Sequence, residues 1–113
     1  MTARASDVFP APSGPESAVT FGQFKFDFDR EELWRGEDVV RLTAAEASLL
    51  KALARRPGNA LSRDDLIAES PVIANLRTVD VQMARLRRKI EENPRFPRYL
   101  QTVRGIGYVL MLD

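Results

Sequence analysis

The stretch from Arg77 to Leu110, RTVDVQMARLRRKIEENPRFPRYLQTVRGIGYVL, constrains the fold more than the rest of the chain together. Val79, Met83, Leu86 and Ile90 recur at i, i+4, i+7 and i+11, which lays them along one stripe of an α-helix. The opposite side of that helix carries Arg77, Val81, Ala84, Arg85 and Arg88. Such a helix is held to a core by one side and shows guanidinium groups, with two small apolar side chains among them, on the other. The spacing predicts a helix over about 78–92, with Thr78 as N-cap, Asp80 in the first turn and Glu92-Asn93-Pro94 at its end. Beyond it, a strand around Tyr99 to Val103 turns at Arg104-Gly105-Ile106-Gly107 and returns from Tyr108 to Leu112, with two glycines allowing positive φ at the bend.

Charge sharpens the contrast between the two faces. Over the whole chain, 17 Lys+Arg and 16 Asp+Glu leave a net charge of +1, which says nothing about partners. Between Arg77 and Arg104, eight basic residues face three acidic ones, a local net of +5. The remainder holds nine basic and thirteen acidic residues, or −4. One end of the molecule therefore carries a positive field while the body stays soluble, and a polyanionic partner accounts for this economically. Each arginine alone reads better as a solvated helix face; the cluster together with the hairpin reads as a binding surface. That surface suits a DNA major groove, where arginine reads guanine edges and a small apolar group meets a thymine methyl.

Other functions lose their equipment. No histidine is present, which removes imidazole acid–base chemistry, serine triads and the commonest metal ligand. No cysteine is present, which removes disulfides and thiolate metal sites and sits easily with a cytoplasmic location. The paired carboxylates Glu31/Glu32, Glu37/Asp38, Asp64/Asp65 and Glu91/Glu92 are sequence neighbours whose side chains point apart, so they read as surface charge and helix-end decoration. The chain is expected not to be an enzyme and to need no cofactor or metal. No apolar run approaches the length of a membrane span, and no secretory signal is visible at the start. The Gly105-x-Gly107 pair lacks the strand–turn–helix context of a dinucleotide loop.

With 113 residues, one domain is expected. Residues 1–18, rich in Ala, Ser, Pro and Gly, read as a linker or tail, and residues 19–113 as the folded unit. From Val19 to Leu42 apolar residues alternate with polar ones around turn-like pieces, as in Phe24, Phe26 and Phe28. This predicts three or four short antiparallel strands with one apolar face, Leu33 and Trp34 lying in the third. Thr43-Ala44-Ala45-Glu46 is a capping box that opens a helix with Leu49, Leu50 and Leu53 buried, stopped by Pro57-Gly58-Asn59. Ala60-Leu61 reads as a very short strand, and Ser62 as the cap of a second helix with Asp64 and Asp65 at its positive end. The loop from Ser70 to Leu76 carries apolar residues that either tuck onto the core or meet a partner.

Strands, helix, helix, helix and hairpin, in that order, make a helix-turn-helix followed by a wing. Its third helix suits the major groove, its N-terminal end suits a phosphate, and Arg104 suits the adjacent minor groove. Arg87 lies nearer the edge of the buried stripe and reads as a phosphate contact or a structural salt bridge rather than a base reader.

The motifs Thr43-x-x-Glu46, Leu49-Leu50, Pro57-Gly58, Leu61-Ser62-Arg63, Arg77-Thr78-Val79-Asp80-Val81, Leu86-Arg87-Arg88-Lys89-Ile90 and Thr102-Val103-Arg104-Gly105-x-Gly107-Tyr108 stand in an order that resembles the OmpR/PhoB-type winged-helix output domain of two-component response regulators. The resemblance covers about Val19 to Leu112. It implies an α+β winged helix-turn-helix: an N-terminal four-stranded antiparallel sheet, three helices and a C-terminal β-hairpin wing. It further implies a sequence-specific transcription regulator that binds double-stranded DNA as tandem head-to-tail copies, with a receiver domain upstream and RNA polymerase met through loop 70–76. By position, Asp80, Val81, Gln82, Arg85, Arg88 and Arg104 would read bases, Arg104 in the minor groove. Arg77, Thr78, Arg87, Thr102 and Tyr108 would contact phosphates or position the others. Ala84 departs from the long polar side chain that many relatives carry there, and loop 70–76 lacks the aromatic or acidic features often seen in it. The competing reading is a winged-helix interaction module whose basic face binds an acidic protein.

Overall fold

The computed structural model describes residues 18–73 and 75–112. Residues 1–17, most of the expected tail, lie outside the described residues, and Ala18 already belongs to the first strand. Four short strands come first: β1 (Ala18–Phe21), β2 (Phe24–Asp27), β3 (Glu32–Arg35) and β4 (Asp38–Val40). They pair antiparallel in sequence order, so each connection is a tight turn. The register aligns Val19, Phe26, Leu33 and Val40 in one row. Because side chains of one row share a sheet face, that row packs inward while the next, Thr20, Lys25, Trp34 and Val39, faces away. Phe26 and Leu33 are fully buried, and Phe28 packs against the same cluster, so the phenylalanine alternation marks a core face as expected.

Helix α1 (Ala44–Ala54) covers that face. The capping box is complete: the Glu46 amide donates to Thr43 Oγ1 at 3.2 Å, and the Thr43 amide to Glu46 Oε1 at 2.8 Å. The box also ties in the last helix, because Lys89 Nζ donates to Glu46 Oε1 at 2.5 Å and to the Arg41 carbonyl at 2.7 Å. Burial pushes the Glu46 carboxyl up, but Lys89 and Thr43 outweigh it and hold it below its ordinary value. Past the helix end, Gly58 at φ 81° turns the chain so that its amide donates to the Leu110 carbonyl at 2.8 Å.

A two-residue strand, β5 (Leu61–Ser62), leads into α2 (Arg63–Glu69), and Ser62 and Asp65 form a second capping box. Then follow α3 (Leu76–Ile90), β6 (Leu100–Val103) and β7 (Gly107–Leu110). The second sheet has the order β5-β7-β6, so the wing is anchored to the start of the helix-turn-helix through its returning strand. In α3, Val79, Met83, Leu86 and Ile90 are buried in the cluster formed by Leu50, Leu53, Leu66 and Leu100, as the periodicity requires.

Both ends of α3 fall two residues earlier than expected. Asn75, not Thr78, is the N-cap: its Oδ1 accepts from the Thr78 amide at 2.9 Å, and Asp80 lies beyond the first turn. At the other end Glu91 is already extended. Its carboxylate accepts the amides of Arg98, Tyr99 and Leu100 at 2.7, 2.9 and 2.7 Å, organising the loop that enters β6. In loop 70–76 the two readings divide by residue: Ile73 is buried in the core, whereas Val72 and Leu76 are exposed.

Candidate nucleic-acid interface

The side of α3 turned away from the core carries Arg77, Val81, Ala84, Arg85 and Arg88, all exposed. The hairpin tip beside it leaves Arg104 exposed as well. Among the described residues, no ion pair holds Arg77, Arg85, Arg88 or Arg104; the paired cations are Lys51, Arg56, Arg63 and Lys89. Four guanidinium groups therefore remain available to an external anion.

Other basic groups of the same segment are committed internally. Arg87 Nε donates to the Leu100 carbonyl at 2.8 Å, and its Nη2 to Thr102 Oγ1 at 2.8 Å, which stitches α3 to β6. Its guanidinium lies 5.5 Å from the centre of the Tyr108 ring, and that of Arg63 lies 5.7 Å from it. Arg87 is thus a structural tie, made to a carbonyl and a hydroxyl rather than through the salt bridge that its position at the edge of the stripe suggested.

Asp80 is held from two directions. Its Oδ1 accepts from Arg63 Nε at 2.7 Å and from the Tyr108 hydroxyl at 2.5 Å, so one carboxylate links the start of α2, the first half of α3 and β7. Partial burial pushes the Asp80 carboxyl up, yet the Tyr108 hydroxyl and the Arg63 guanidinium together hold it below its ordinary value. Burial, then the Asp80 charge, push the Tyr108 hydroxyl up. Asp80 was expected to read bases, but its Oδ1 is already occupied by two donors. Tyr108, expected among the phosphate or positioning contacts, is buried with its hydroxyl on Asp80, which fits positioning. Thr78 spends its hydroxyl on Asn75 Oδ1 at 3.0 Å, and Thr102 is exposed and accepts from Arg87.

Gln82 is a correction. Expected to face bases, it is only 9 % exposed, and its Oε1 is buried without a hydrogen-bond partner. The physical reason lies in the helix itself: Gln82 stands three residues after Val79 and four before Leu86, on the flank of the buried stripe. Replacing an unsatisfied buried carbonyl by an apolar group of similar shape relieves a desolvation cost. Gln82→Met is therefore expected to raise stability by about 1 kcal/mol and leave duplex affinity unchanged. A thermal melt and a binding isotherm check this together; a fall in affinity would return Gln82 to the contact surface.

Arg63 is the residue that sequence reasoning left without a role. It lies 17 positions from Asp80, and no local signal marks the pair. The two wing glycines also differ from expectation. Gly105 has the positive φ, 78°, whereas Gly107 does not. A side chain at Gly107 would run into the Leu61 carbonyl, so this glycine permits the close approach of β7 to β5. Among the described residues no group of three or more acidic side chains could hold a metal ion, and no helix is long and apolar enough to cross a membrane.

Comparison with known proteins places this geometry. Residues 36–110 match the family model described as "Transcriptional regulatory protein, C terminal". The chain is 47 % identical over 109 residues to Protein PetR of Rhodobacter capsulatus, covering 89 % of this chain and 46 % of that protein. It is 38 % identical over 96 residues to the transcriptional regulatory protein AfsQ1 of Streptomyces coelicolor, covering 82 % and 43 %. The chain spans 38 to 46 % of the length of these and two further curated relatives. Among solved structures, the response regulator DrrB, a Thermotoga maritima OmpR/PhoB homolog, superposes with a TM-score of 0.76 at 28 % identity, covering 84 % of this chain and 44 % of that one. The Klebsiella pneumoniae RstA DNA-binding domain, solved in complex with the RstA box, gives 0.73 at 30 % identity, covering 83 % and 96 %. A four-stranded sheet, a helix trio and a hairpin wing, matched over most of their length by these proteins, place the chain in the transcriptional regulatory C-terminal family of OmpR/PhoB-type winged-helix domains.

Proposed function

We propose that this chain is the sequence-specific DNA-binding output domain of a two-component response regulator. In this reading α3 enters the major groove and the wing reaches the neighbouring minor groove. The observation that carries it is the set of four exposed guanidinium groups, Arg77, Arg85, Arg88 and Arg104, outside every ion pair among the described residues, on a helix face and hairpin tip joined by Arg87. Arg85 and Arg88 have the donor forks that guanine accepts, and Val81 suits a thymine methyl. Arg77, in the first turn of α3, is a phosphate contact, as is Thr102 on β6, whose hydroxyl accepts from Arg87 and keeps its own proton to donate. Thr78, with its amide and hydroxyl both on Asn75, is a positioning residue. Asp80, Arg87 and Tyr108 position these groups. Arg104 is the minor-groove probe, favoured where that groove is narrow and negative.

Two similar structures are DNA-binding domains in complex with an RstA box and with an intercistronic region, which supports duplex DNA as the partner. Relatives about twice as long support a further domain in the full protein; a receiver upstream, tandem direct-repeat sites and RNA polymerase contact through loop 70–76 belong to the same proposal. A cytoplasmic location belongs to the same proposal, and a cysteine-free chain sits easily with it.

Arg85→Ala is expected to cost about 1–3 kcal/mol of discrimination between the selected site and random DNA, measured by competition binding. An equal loss on both DNAs would make Arg85 a phosphate clamp. Wild-type affinity should fall linearly with salt on logarithmic axes, the slope reporting the phosphates neutralised. No duplex binding at low salt would leave the acidic protein partner as the better account.

A further inference from the structure

The wing tip holds a side chain that the proposed contacts leave unused. Ile106, in the loop between β6 and β7, is 56 % exposed. Its backbone is fixed on both sides. The Ile106 amide donates to the Val103 carbonyl at 2.9 Å, and Gly105 at φ 78° supplies the left-handed residue of the turn. Immediately after it, Gly107 pairs with both Val103 and Ser62, so the tip is braced by the whole β5-β7-β6 sheet. A branched alkyl group is therefore held out on a short rigid bend, with only a glycine between it and Arg104. It adds nothing to the core.

We infer that Ile106 is a specificity-determining residue that selects A·T over G·C at the base step beneath the wing. This rests on the DNA-binding reading above. The floor of the minor groove presents only acceptors at A·T, whereas G·C adds the guanine N2 amino group, a donor that projects into the groove. An alkyl group seated there competes for the volume of that amino group and strips its water without offering an acceptor, which is costly. At A·T no such donor exists. The narrower groove then closes around the side chain, and Arg104, two residues away, supplies donors to the exposed acceptors. Apolar side chains placed against the minor-groove floor are an established device of groove-binding proteins, and here one stands beside the arginine.

The test uses duplexes that the 113-residue protein selects from a random pool. The wing step is the minor-groove contact that disappears in Arg104→Ala. That step is rebuilt as A·T, as G·C and as inosine·C, which keeps the major-groove edge of G·C but lacks the N2 amino group. Wild type should bind the A·T and inosine·C duplexes alike and the G·C duplex about tenfold more weakly, while Ile106→Ala should bind all three within about twofold. Because Ile106 is exposed, the variant should melt with wild type. Two results overturn the inference: wild type ranking inosine·C with G·C, or Ile106→Ala keeping the preference, which would assign it to Arg104. Failure of wild type to enrich any duplex would remove the DNA-binding reading and this one with it. Enrichment without the inosine effect removes only the role of Ile106.

Discussion

Gly107→Ala should lower stability by about 3 kcal/mol and strip the wing of its anchorage. A Cβ at this position would overlap the Leu61 carbonyl oxygen and lie 2.9 Å from the Leu61 carbonyl carbon and from Ser62 Cα. All three obstacles are backbone atoms, so no rotamer change relieves the clash; β5 has to separate from β7. That separation breaks the Leu61–Tyr108 and Ser62–Gly107 register and exposes Leu61, which is 5 % exposed in the native fold. It also shifts Tyr108 away from Asp80. Gly105→Ala is the informative companion. Nothing lies within 4 Å of a Cβ there, so its cost is only that of a left-handed residue with a side chain, about 1–2 kcal/mol. Urea denaturation of the two variants beside wild type gives the ranking. Equal losses, or a Gly107→Ala protein within 1 kcal/mol of wild type, would contradict the close-approach explanation.

Glu91→Ala is expected to cost about as much, for a different reason. The carboxylate is only 7 % exposed and accepts three consecutive backbone amides, from Arg98, Tyr99 and Leu100. Truncation leaves those three donors, whose bonds are part-buried or buried, without an acceptor, at about 1–3 kcal/mol for the buried Leu100 amide and less for the two nearer solvent. The sum, about 3 kcal/mol, corresponds to a fall in Tm of about 12–20 °C for a domain of this size. Glu91→Gln retains one acceptor oxygen and should recover part of the loss. A Glu91→Ala melt superimposable on wild type would mean that the loop satisfies its amides by other means.

The contrast between Glu91 and Thr43 explains what could be seen in the sequence. Thr43 and Glu46, and likewise Ser62 and Asp65, make their bonds within four positions, so the pattern of residue types was sufficient to locate two helix starts. The same holds for the stripe from Val79 to Ile90 and for the alternating phenylalanines, where period alone separates inside from outside. Glu91 receives its amides from seven to nine residues further on, across a loop with no periodicity, and beside Glu92 it looked like surface charge. Asp80 meets Arg63 and Tyr108 across 17 and 28 positions, so its assignment to base reading could not be weighed against its internal partners. Gln82 was legible after all: its offsets from Val79 and Leu86 place it on the buried flank, but the family resemblance, carried over by position, set it among the base readers. The start of α3 slipped because Asn75 and Thr78 are both good caps, and only the bond from the Thr78 amide to Asn75 decides between them.

On the proposed DNA-binding reading, Arg87 has a consequence for the kind of site this domain accepts. By gripping β6 from α3 while Asp80 takes the Tyr108 hydroxyl from β7, the molecule becomes a caliper with a preset gap between its two prongs. One extra base pair between the stretches that the prongs touch would carry the second away by about 3.4 Å along the axis and about 34° around it. A stiff caliper cannot follow, so on that reading the interval inside a site, as much as its letters, is part of what is recognised.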